Sequence, residues 1–224
     1  MTAIEDALAG PRVFTLDTSA RVIAVNAANG SARYAYDDAG NRLSGVWPTR
    51  HPGSEAHGER AYTGTRITRA GNIRYEYDAL GRTVLRQKAR LSREPDTWRY
   101  EWDAEDRMTG VTTPDGTVWR SRYDALSRRT AKQRLTATGE VAKEVIFTWD
   151  GATLCEQTSG PIALTWNHDD LHPLTQAGRI PGTTDERFFA VVTDLAGTPR
   201  ELVDESGAIA WRPLHPLGLR RLDT

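Results

Sequence analysis

Two histidines flank two aspartates in the segment Asn167-His168-Asp169-Asp170-Leu171-His172, and these residue types are common metal ligands. On a helix, a spacing of four would place both imidazoles on one face, as in many zinc sites. However, Pro173 follows at once, no helical periodicity leads into the segment, and a third ligand is not evident. A polar loop is therefore favoured over a metal site, and we expect no cofactor. We predict that the irregular stretch extends from Asn167 to Asp185.

Other side chains of catalytic type also have simpler interpretations. Cys155 lies in the strand-like stretch Thr153-Leu154-Cys155-Glu156, where a half-buried packing thiol is favoured over a nucleophile. A lone cysteine cannot form a disulfide within the chain. No nucleophile elbow, phosphate-binding loop or zinc-ligand spacing is present. We predict that the chain is not an enzyme.

Aspartates that follow an aromatic or apolar residue recur along the chain at nearly regular intervals. The steps from Asp17 through Asp37, Asp78, Asp103 and Asp124 to Asp150 are 20, 41, 25, 21 and 26 residues. This spacing indicates a repeat of about 20 residues with one degenerate copy. Because the copies lie on separate repeats, these carboxylates are not predicted to form a catalytic pair.

The residues around these aspartates predict tight turns. In several copies an Asp opens a four-residue turn and a Gly closes it. The carboxylate can accept the backbone N–H two residues on, and Gly adopts the positive φ that follows a type I turn. Asp106 and Ser127 stand in place of that Gly in two central copies. We predict a structural turn role for Asp37, Gly40, Asp78, Gly81, Asp103, Asp124, Asp194, Gly197, Asp204 and Gly207.

The segments between the turns have the periodicity of strands. In Trp98-Arg99-Tyr100-Glu101-Trp102 every second residue is aromatic, and charged residues lie between. A strand alternates its side chains across two faces, so the three rings share one face and the charges the other. The fold class predicted is all-β, a meander of short antiparallel strands. The aromatic stripes either pack successive coils of the chain or, alternatively, form a surface for stacking on sugars.

Composition and charge exclude several classes of protein. The 224 residues include 29 basic and 30 acidic side chains, a formal net charge of −1, so no nucleic-acid partner is predicted. No apolar run approaches the ~18 residues of a membrane span, and residues 1–25 lack the pattern of a signal peptide. We expect a single repeat region over 1–224, with an irregular loop at 48–60 and a frayed tail at 213–224.

The units YDDAGNR at 36–42 and YDALGR at 77–82 resemble the YD repeats of the bacterial RHS family, and animal teneurins carry a similar repeat. The segment VTDLAGTPRELVDESGAIAWR at 192–212 is similar to the signature that closes the RHS core. The resemblance covers roughly residues 12–212. It implies a spiralling β-sheet that closes into a hollow shell, often around a C-terminal toxin, in a bacterial protein that is secreted or displayed at the cell surface.

His215-Pro216-Leu217-Gly218-Leu219 resembles the self-cleavage motif of that family, with His where the motif has Asp. The segment starts three residues after Arg212, closer to the core signature than in complete members. Arg220 and Arg221 also replace the glycines that follow the motif. Self-cleavage is therefore not predicted.

The resemblance implies that this chain is a structural wall segment of an RHS-type shell without catalysis of its own. Its expected partners are the remainder of the shell polypeptide and an encapsulated toxin domain. A carbohydrate-binding module that uses the aromatic stripes is the alternative, with glycans as its partners. In isolation the chain is expected to self-associate, because exposed strand edges are templates for further pairing.

Overall fold

The computed structural model describes residues 2–6, 10–28, 30–49, 53–179, 186–194 and 197–212, and nearly all of them lie in strands or tight turns. These described residues form twenty strands and one short 3-10 turn, Ser54–Ala56. Among them, no helix is long and apolar enough to cross a membrane. The predicted all-β class is confirmed.

The chain divides into two compact units, the first over Met1–Trp98 and the second from Arg99 to Pro213. In the first unit each strand pairs antiparallel with the next along the chain. Its strands are β1 (Thr2–Asp6), β2 (Gly10–Leu16), β3 (Val22–Ala27), β4 (Gly30–Tyr36), β5 (Arg42–Val46), β6 (Gly58–Thr63), β7 (Arg66–Ala70), β8 (Ile73–Tyr77) and β9 (Thr83–Lys88).

The second unit is also a meander of antiparallel strands. Most of β10 and all later strands lie in it, and each pairs antiparallel with the strand that follows. These strands are β10 (Asp96–Trp102), β11 (Met108–Thr112), β12 (Val118–Tyr123), β13 (Arg129–Leu135), β14 (Val141–Asp150), β15 (Thr153–Ser159), β16 (Ile162–Asp169), β17 (His172–Arg179), β18 (Glu186–Thr193), β19 (Pro199–Asp204) and β20 (Ile209–Trp211).

The hairpins that carry the repeated aspartates contain a register shift beside the turn. In β12 and β13 the shift falls between Arg122 and Tyr123, and in β8 and β9 between Glu76 and Tyr77. A type I turn followed by a residue with positive φ adds one residue to the returning strand and creates such a bulge. The bulge places the residue before each Asp at a fixed position in the hairpin.

Among the described residues, the strands in closest backbone contact are neighbours in sequence. The described hydrophobic side chains that are buried in the first unit are Val25, Ala32, Ala70, Ile73 and Leu85. In the second unit, Ala131 is the single described hydrophobic residue that is buried. Both units therefore expose much of their apolar surface.

Two predicted irregular segments are more regular than expected. The prediction of a loop over 167–185 is wrong through Arg179, because β16 and β17 form a tight hairpin in which Asp169 pairs with His172. Pro173 is tolerated there because it is the second residue of β17, opposite His168 at a register shift. The hairpin turn uses Asp170 with a φ of 54°. Residues 180–185 lie outside the described part of the chain.

The predicted loop at 48–60 contains the 3-10 turn, and β6 already begins at Gly58. Glu55 on that turn forms ion pairs with Arg86 at 3.1 Å and with Lys88 at 3.7 Å, which ties the segment to β9. Residues 50–52 lie outside the described residues. The same holds for the predicted tail 213–224, and with it for the segment that resembles the cleavage motif.

Candidate functional site, the aspartate–arginine turns

Asp103 organises its turn through three hydrogen bonds to its carboxylate. Oδ1 accepts the N–H groups of Glu105 and Arg107 at 2.9 and 3.0 Å. Oδ2 accepts Nε of Arg107 at 2.7 Å. The Asp103 N–H donates to the Arg107 carbonyl at 3.0 Å, which closes the hairpin. One carboxylate thus binds both the inside of the turn and the first side chain of the returning strand.

The same arrangement recurs at other turns. Asp17, Asp78 and Asp124 each accept Nε of the arginine four residues on at 2.7 Å, from Arg21, Arg82 and Arg128 respectively. At Asp37 the fifth residue is Asn41, whose amide Nδ2 donates to the carboxylate at 2.9 Å. An aspartate with an arginine or asparagine at +4 is therefore the repeated unit.

The fourth residue of each turn adopts a left-handed backbone conformation. Gly40, Gly81, Gly197 and Gly207 have φ values of 84°, 87°, 78° and 83°. Three turns use other residues at this position: Ala20, Asp106 and Ser127, with φ near 60°. Glycine is the residue that adopts this conformation at the lowest cost.

The two C-terminal aspartates form turns without an arginine. Asp194 Oδ1 accepts the N–H of Thr198 at 3.0 Å. Asp204 Oδ1 accepts the N–H groups of Ser206 and Ala208 at 3.0 and 2.9 Å. Residues 195 and 196 lie outside the described residues. These two turns keep the carboxylate's backbone hydrogen bond and lack the ion pair at +4.

Hydrogen bonds to the carboxylate lower the pKa of six of the turn aspartates below the ordinary value of 3.8. For Asp103 the N–H of Arg107 contributes most, and desolvation opposes it. For Asp124 desolvation is the largest influence and raises the pKa, but the backbone and side-chain hydrogen bonds of Arg128 outweigh it. The side-chain hydrogen bond to Asp103 also raises the pKa of Arg107. The pKa is lowered in the same way in Asp17, Asp37, Asp78 and Asp204.

The turn arginine also reaches the next repeat. Arg107 Nη1 donates to the carbonyl of Asp124 at 3.3 Å, and Arg21 Nη1 donates to the carbonyl of Asp37 at 2.9 Å. The same guanidinium groups lie over the aromatic ring that precedes that next aspartate, at 5.4 Å from Tyr123 for Arg107. The corresponding distance from Arg21 to the Tyr36 ring is 5.0 Å. These distances are within cation–π range.

A third contact completes the connection between successive turns. Tyr123 donates its hydroxyl to the carbonyl of Met108 at 2.8 Å, and Met108 directly follows Arg107. The Tyr36 hydroxyl donates in the same way to the Val22 carbonyl at 3.1 Å. The indole N–H of Trp149 donates to the Arg129 carbonyl at 2.9 Å. We call the arginine-to-carbonyl, arginine-to-ring and ring-to-carbonyl contacts together the turn-to-turn contacts.

Cations also cover many of the other aromatic rings. Arg86 lies over Trp98 and Lys132 over Trp119, each at 4.4 Å from the ring centroid. Arg42 lies over Tyr34 at 4.8 Å. The described rings of the stripes are half-buried, whereas Trp211 near the end of the described chain is 46% exposed. One face of each of these covered rings is therefore occupied by a side chain of the protein itself.

The other side chains considered in the sequence do not converge on a site. His168 and His172 lie on the two strands of the β16–β17 hairpin. Cys155 is half-buried on β15, with its thiol 3.6 Å from the Thr153 carbonyl. The described residues contain no group of three or more His, Cys, Asp or Glu side chains that could hold a metal ion.

The partners of the aspartates were harder to find in the sequence than the aspartates themselves. The signal for Arg107 and Arg128 is their constant position four residues after Asp103 and Asp124. The signal for Tyr123 is that an aromatic residue directly precedes the aspartate in several copies. Neither signal shows that the three residue types contact one another between repeats.

Fold and turns together define a repeat protein of tandem β-hairpins, in which an aromatic–aspartate–arginine turn recurs and connects to the next. The sequence model of the RHS repeat matches residues 95–118 and 102–141, a region that contains the Asp103 and Asp124 turns. This region of the chain therefore carries RHS repeats.

Several characterised proteins are similar to this chain. The probable deoxyribonuclease RhsA of Dickeya dadantii is 28% identical over 66% of the chain, and toxin protein Tse5 of Pseudomonas aeruginosa is 28% identical over 89%. The chain spans 10% and 19% of their respective lengths. The double-stranded DNA deaminase toxin A of Burkholderia cenocepacia is also 28% identical over 81% of the chain, which spans 15% of that protein.

A solved structure also aligns with the chain. The crystal structure of TcdB2-TccC3-Cdc42 covers 91% of this chain, at 14% identity and a TM-score of 0.47. The alignment covers 12% of the TcdB2-TccC3 chain.

Proposed function

We propose that this chain is a wall segment of an RHS-type shell that encloses a C-terminal toxin or effector domain. The observation that carries the proposal is the scarcity of buried apolar side chains in the second unit, where Ala131 is the single buried hydrophobic residue among those described. In that unit Phe188, Val192 and Trp211 remain 42–46% exposed. Large apolar side chains that are exposed to solvent together favour a surface that another molecule covers.

The turn-to-turn contacts supply what a wall requires along its length. Each joins one hairpin to the next through both side-chain and backbone atoms, so successive hairpins are held in one arrangement. Repeat proteins of this kind are stabilised by contacts between neighbouring repeats rather than by a central core. The local structure is thus self-supporting along the meander, while the two faces remain available to other parts of the shell and to its contents.

An estimate of area supports a partial wall. About 20 strands, spaced ~4.8 Å apart and ~20 Å long, make on the order of 1,900 Å² of sheet. Enclosing a domain of ~100 residues, with an outer radius of about 17 Å and a wall ~5 Å further out, requires on the order of 6,000 Å². The chain supplies roughly a third of that area. The remainder of the shell polypeptide is therefore a partner in the proposal.

The proposal assigns no catalysis to this chain. Each turn carboxylate with an arginine at +4 is an ionised acceptor with its hydrogen bonds satisfied inside the turn, which suits structure better than proton transfer. The activities in the names of RhsA and the deaminase toxin are those of proteins far longer than this chain. We expect the purified chain to remain one band on prolonged incubation.

The alternative, glycan binding, gains no support from the described rings. Sugar stacking needs an open aromatic face, and a cation covers one face of Trp98, Trp119 and Tyr34.

Hydroxyl-radical footprinting tests the proposed function. The isolated chain is compared with the complete gene product, and the oxidation of Phe188 and Trp211 is measured by mass spectrometry. The β18–β20 register places the two residues on opposite faces of the sheet. Both are expected to react in the isolated chain, and the one on the enclosed face is expected to be protected in the complete protein. Equal oxidation in the two samples would contradict a wall role.

A further inference from the structure

A groove of about 360 Å³ in the first unit is lined by three arginines and an asparagine. Arg69 lies on β7, Asn72 in the turn that follows, Arg74 on β8 and Arg90 just after β9. The groove lies apart from the turn-to-turn contacts. Nothing in the proposed wall function requires a cluster of cations at this place.

Two of the arginines are direct cross-strand neighbours. Arg69 and Arg74 are paired in the β7–β8 ladder, next to the pair of Ala70 and Ile73. Side chains at directly opposed positions have Cβ atoms about 5 Å apart, and like charges there destabilise the hairpin. An anion between the two guanidinium groups would remove that repulsion.

Two of the three groove arginines have an acidic partner, and the third does not. Arg74 pairs with Glu76 at 2.7 Å, and Arg90 pairs with Asp96. Among the described residues, the side chain of Arg69 forms neither a hydrogen bond nor an ion pair, and the same holds for the side-chain amide of Asn72. The groove therefore offers one uncompensated guanidinium beside a free amide donor.

We propose that this groove binds a carboxylate side chain of an acidic peptide segment. A carboxylate carries one negative charge, which would balance the unpaired positive charge of Arg69. The planar guanidinium can donate two parallel hydrogen bonds to the two carboxylate oxygens. The Asn72 amide is positioned along the groove to donate a further hydrogen bond. A phosphate dianion would exceed the one uncompensated charge. The inference does not depend on the wall function, because the groove is formed within the first unit alone.

A fluorescently labelled hexaglutamate peptide tests the proposal on the full chain. We expect saturable binding by fluorescence anisotropy that weakens as NaCl is added. Arg69→Gln should lower the affinity about tenfold, since hydrogen bonds to charged groups are worth that much or more, and Asn72→Ala should lower it less. The matched control is Arg33→Gln, which removes an exposed arginine of β4 in the same unit and should leave binding unchanged.

Three results would overturn the proposal. The first is the absence of saturable binding by the wild-type chain. The second is an equal loss of affinity in Arg69→Gln and Arg33→Gln, which would show attraction to overall charge. The third is displacement of the peptide by inorganic phosphate at lower concentration than by succinate, which would make the groove a phosphate site. Circular dichroism of each variant confirms that it is folded, so that a loss of binding reports on the groove.

Discussion

Arg107 contacts Asp124 of the next repeat, donating from Nη1 to its carbonyl at 3.3 Å, while its Nε holds the carboxylate of its own Asp103 at 2.7 Å. A single side chain thus belongs to two turns that lie 21 residues apart in sequence. This double role explains how a chain with few buried apolar side chains keeps its hairpins in order.

Replacement of Arg107 should destabilise the second unit more than replacement of another arginine of that unit. Arg107→Gln removes the ion pair, the bond to the Asp124 carbonyl and the contact with the Tyr123 ring together. Arg107→Lys keeps the charge but lacks the planar fork, so its melting temperature should fall between those of wild type and Arg107→Gln. Thermal unfolding followed by circular dichroism measures the order.

The control for that series is Arg120→Gln, at an exposed position on β12. Its melting temperature should stay near that of wild type. Equal melting temperatures for Arg107→Gln and Arg120→Gln would show that the turn-to-turn contacts contribute nothing measurable.

Ala20→Gly should stabilise the first unit. Ala20 has a φ of 59°, a conformation that costs an L-residue roughly 1–2 kcal/mol and that glycine adopts without this cost. Glycine loses more backbone entropy on folding, which offsets part of the gain. The net gain in the free energy of unfolding is about 0.5–1 kcal/mol. Chemical denaturation measures it, and Ala125→Gly, at a turn position with ordinary φ, should destabilise instead. A loss of stability in Ala20→Gly would contradict the assigned turn geometry.

Two glycine replacements separate backbone strain from packing. Gly81 and Gly139 have nearly equal φ values, 87° and 85°. A Cβ on Gly139 meets open space, whereas a Cβ on Gly81 would clash with the guanidinium of Arg66. Gly139→Ala should therefore cost about 1 kcal/mol from the backbone alone, and Gly81→Ala should cost only slightly more, because the flexible end of the Arg66 side chain can shift.

Denaturation of both variants gives the difference directly. The double variant Gly81→Ala with Arg66→Ala should recover the extra cost at Gly81. If the two single variants lose the same stability, the close approach of Arg66 does not affect the fold.

Acid should unfold the protein through the turn aspartates. Their folded pKa lies below the ordinary 3.8, so the unfolded chain takes up protons first as the pH falls. The stability they contribute is complete well above pH 3.8 and is lost as the pH falls through the lowered folded values. Denaturation at a series of pH values should show a flat region near neutrality and a decline below about pH 4.

Asp124→Asn provides the matched comparison, since it removes one titrating group from a turn. Its stability should decline less steeply with acid than that of wild type. An increase of stability as the pH falls below 4 would contradict the assigned hydrogen bonds.

The sequence predicts the strands and the Asp–Gly turns because both depend on local chemistry. Alternating rings at 98–102 and the Asp78–Gly81 pattern are readable within a few residues. The Asp17 turn is less visible, because Ala20 stands where glycine is expected. Pro173 leads to the prediction of a loop where the β16–β17 hairpin lies, because proline has no N–H to donate to the strand ladder. Proline is tolerated at a strand start or a bulge, and this is its position in β17.

The turn-to-turn contacts could not be predicted from such patterns. The bond from Tyr123 to the Met108 carbonyl spans 15 residues and depends on the register of β11 against β12. A shift of that register by a single residue would turn Tyr123 to the other face. The carboxylate groove has the same origin, because the β7–β8 register places Arg69 opposite Arg74.

The central claim, that this chain is an incomplete wall, is tested most directly by sedimentation velocity over a concentration series of the isolated protein. Within the described residues β1 pairs with β2 alone and β20 with β19 alone, and such edges accept further strands. We predict a weight-average sedimentation coefficient that rises with concentration as chains associate through these edges and the exposed apolar faces. A strictly monomeric, compact particle at the highest concentration would show that the sheet closes on itself, and would contradict the wall segment.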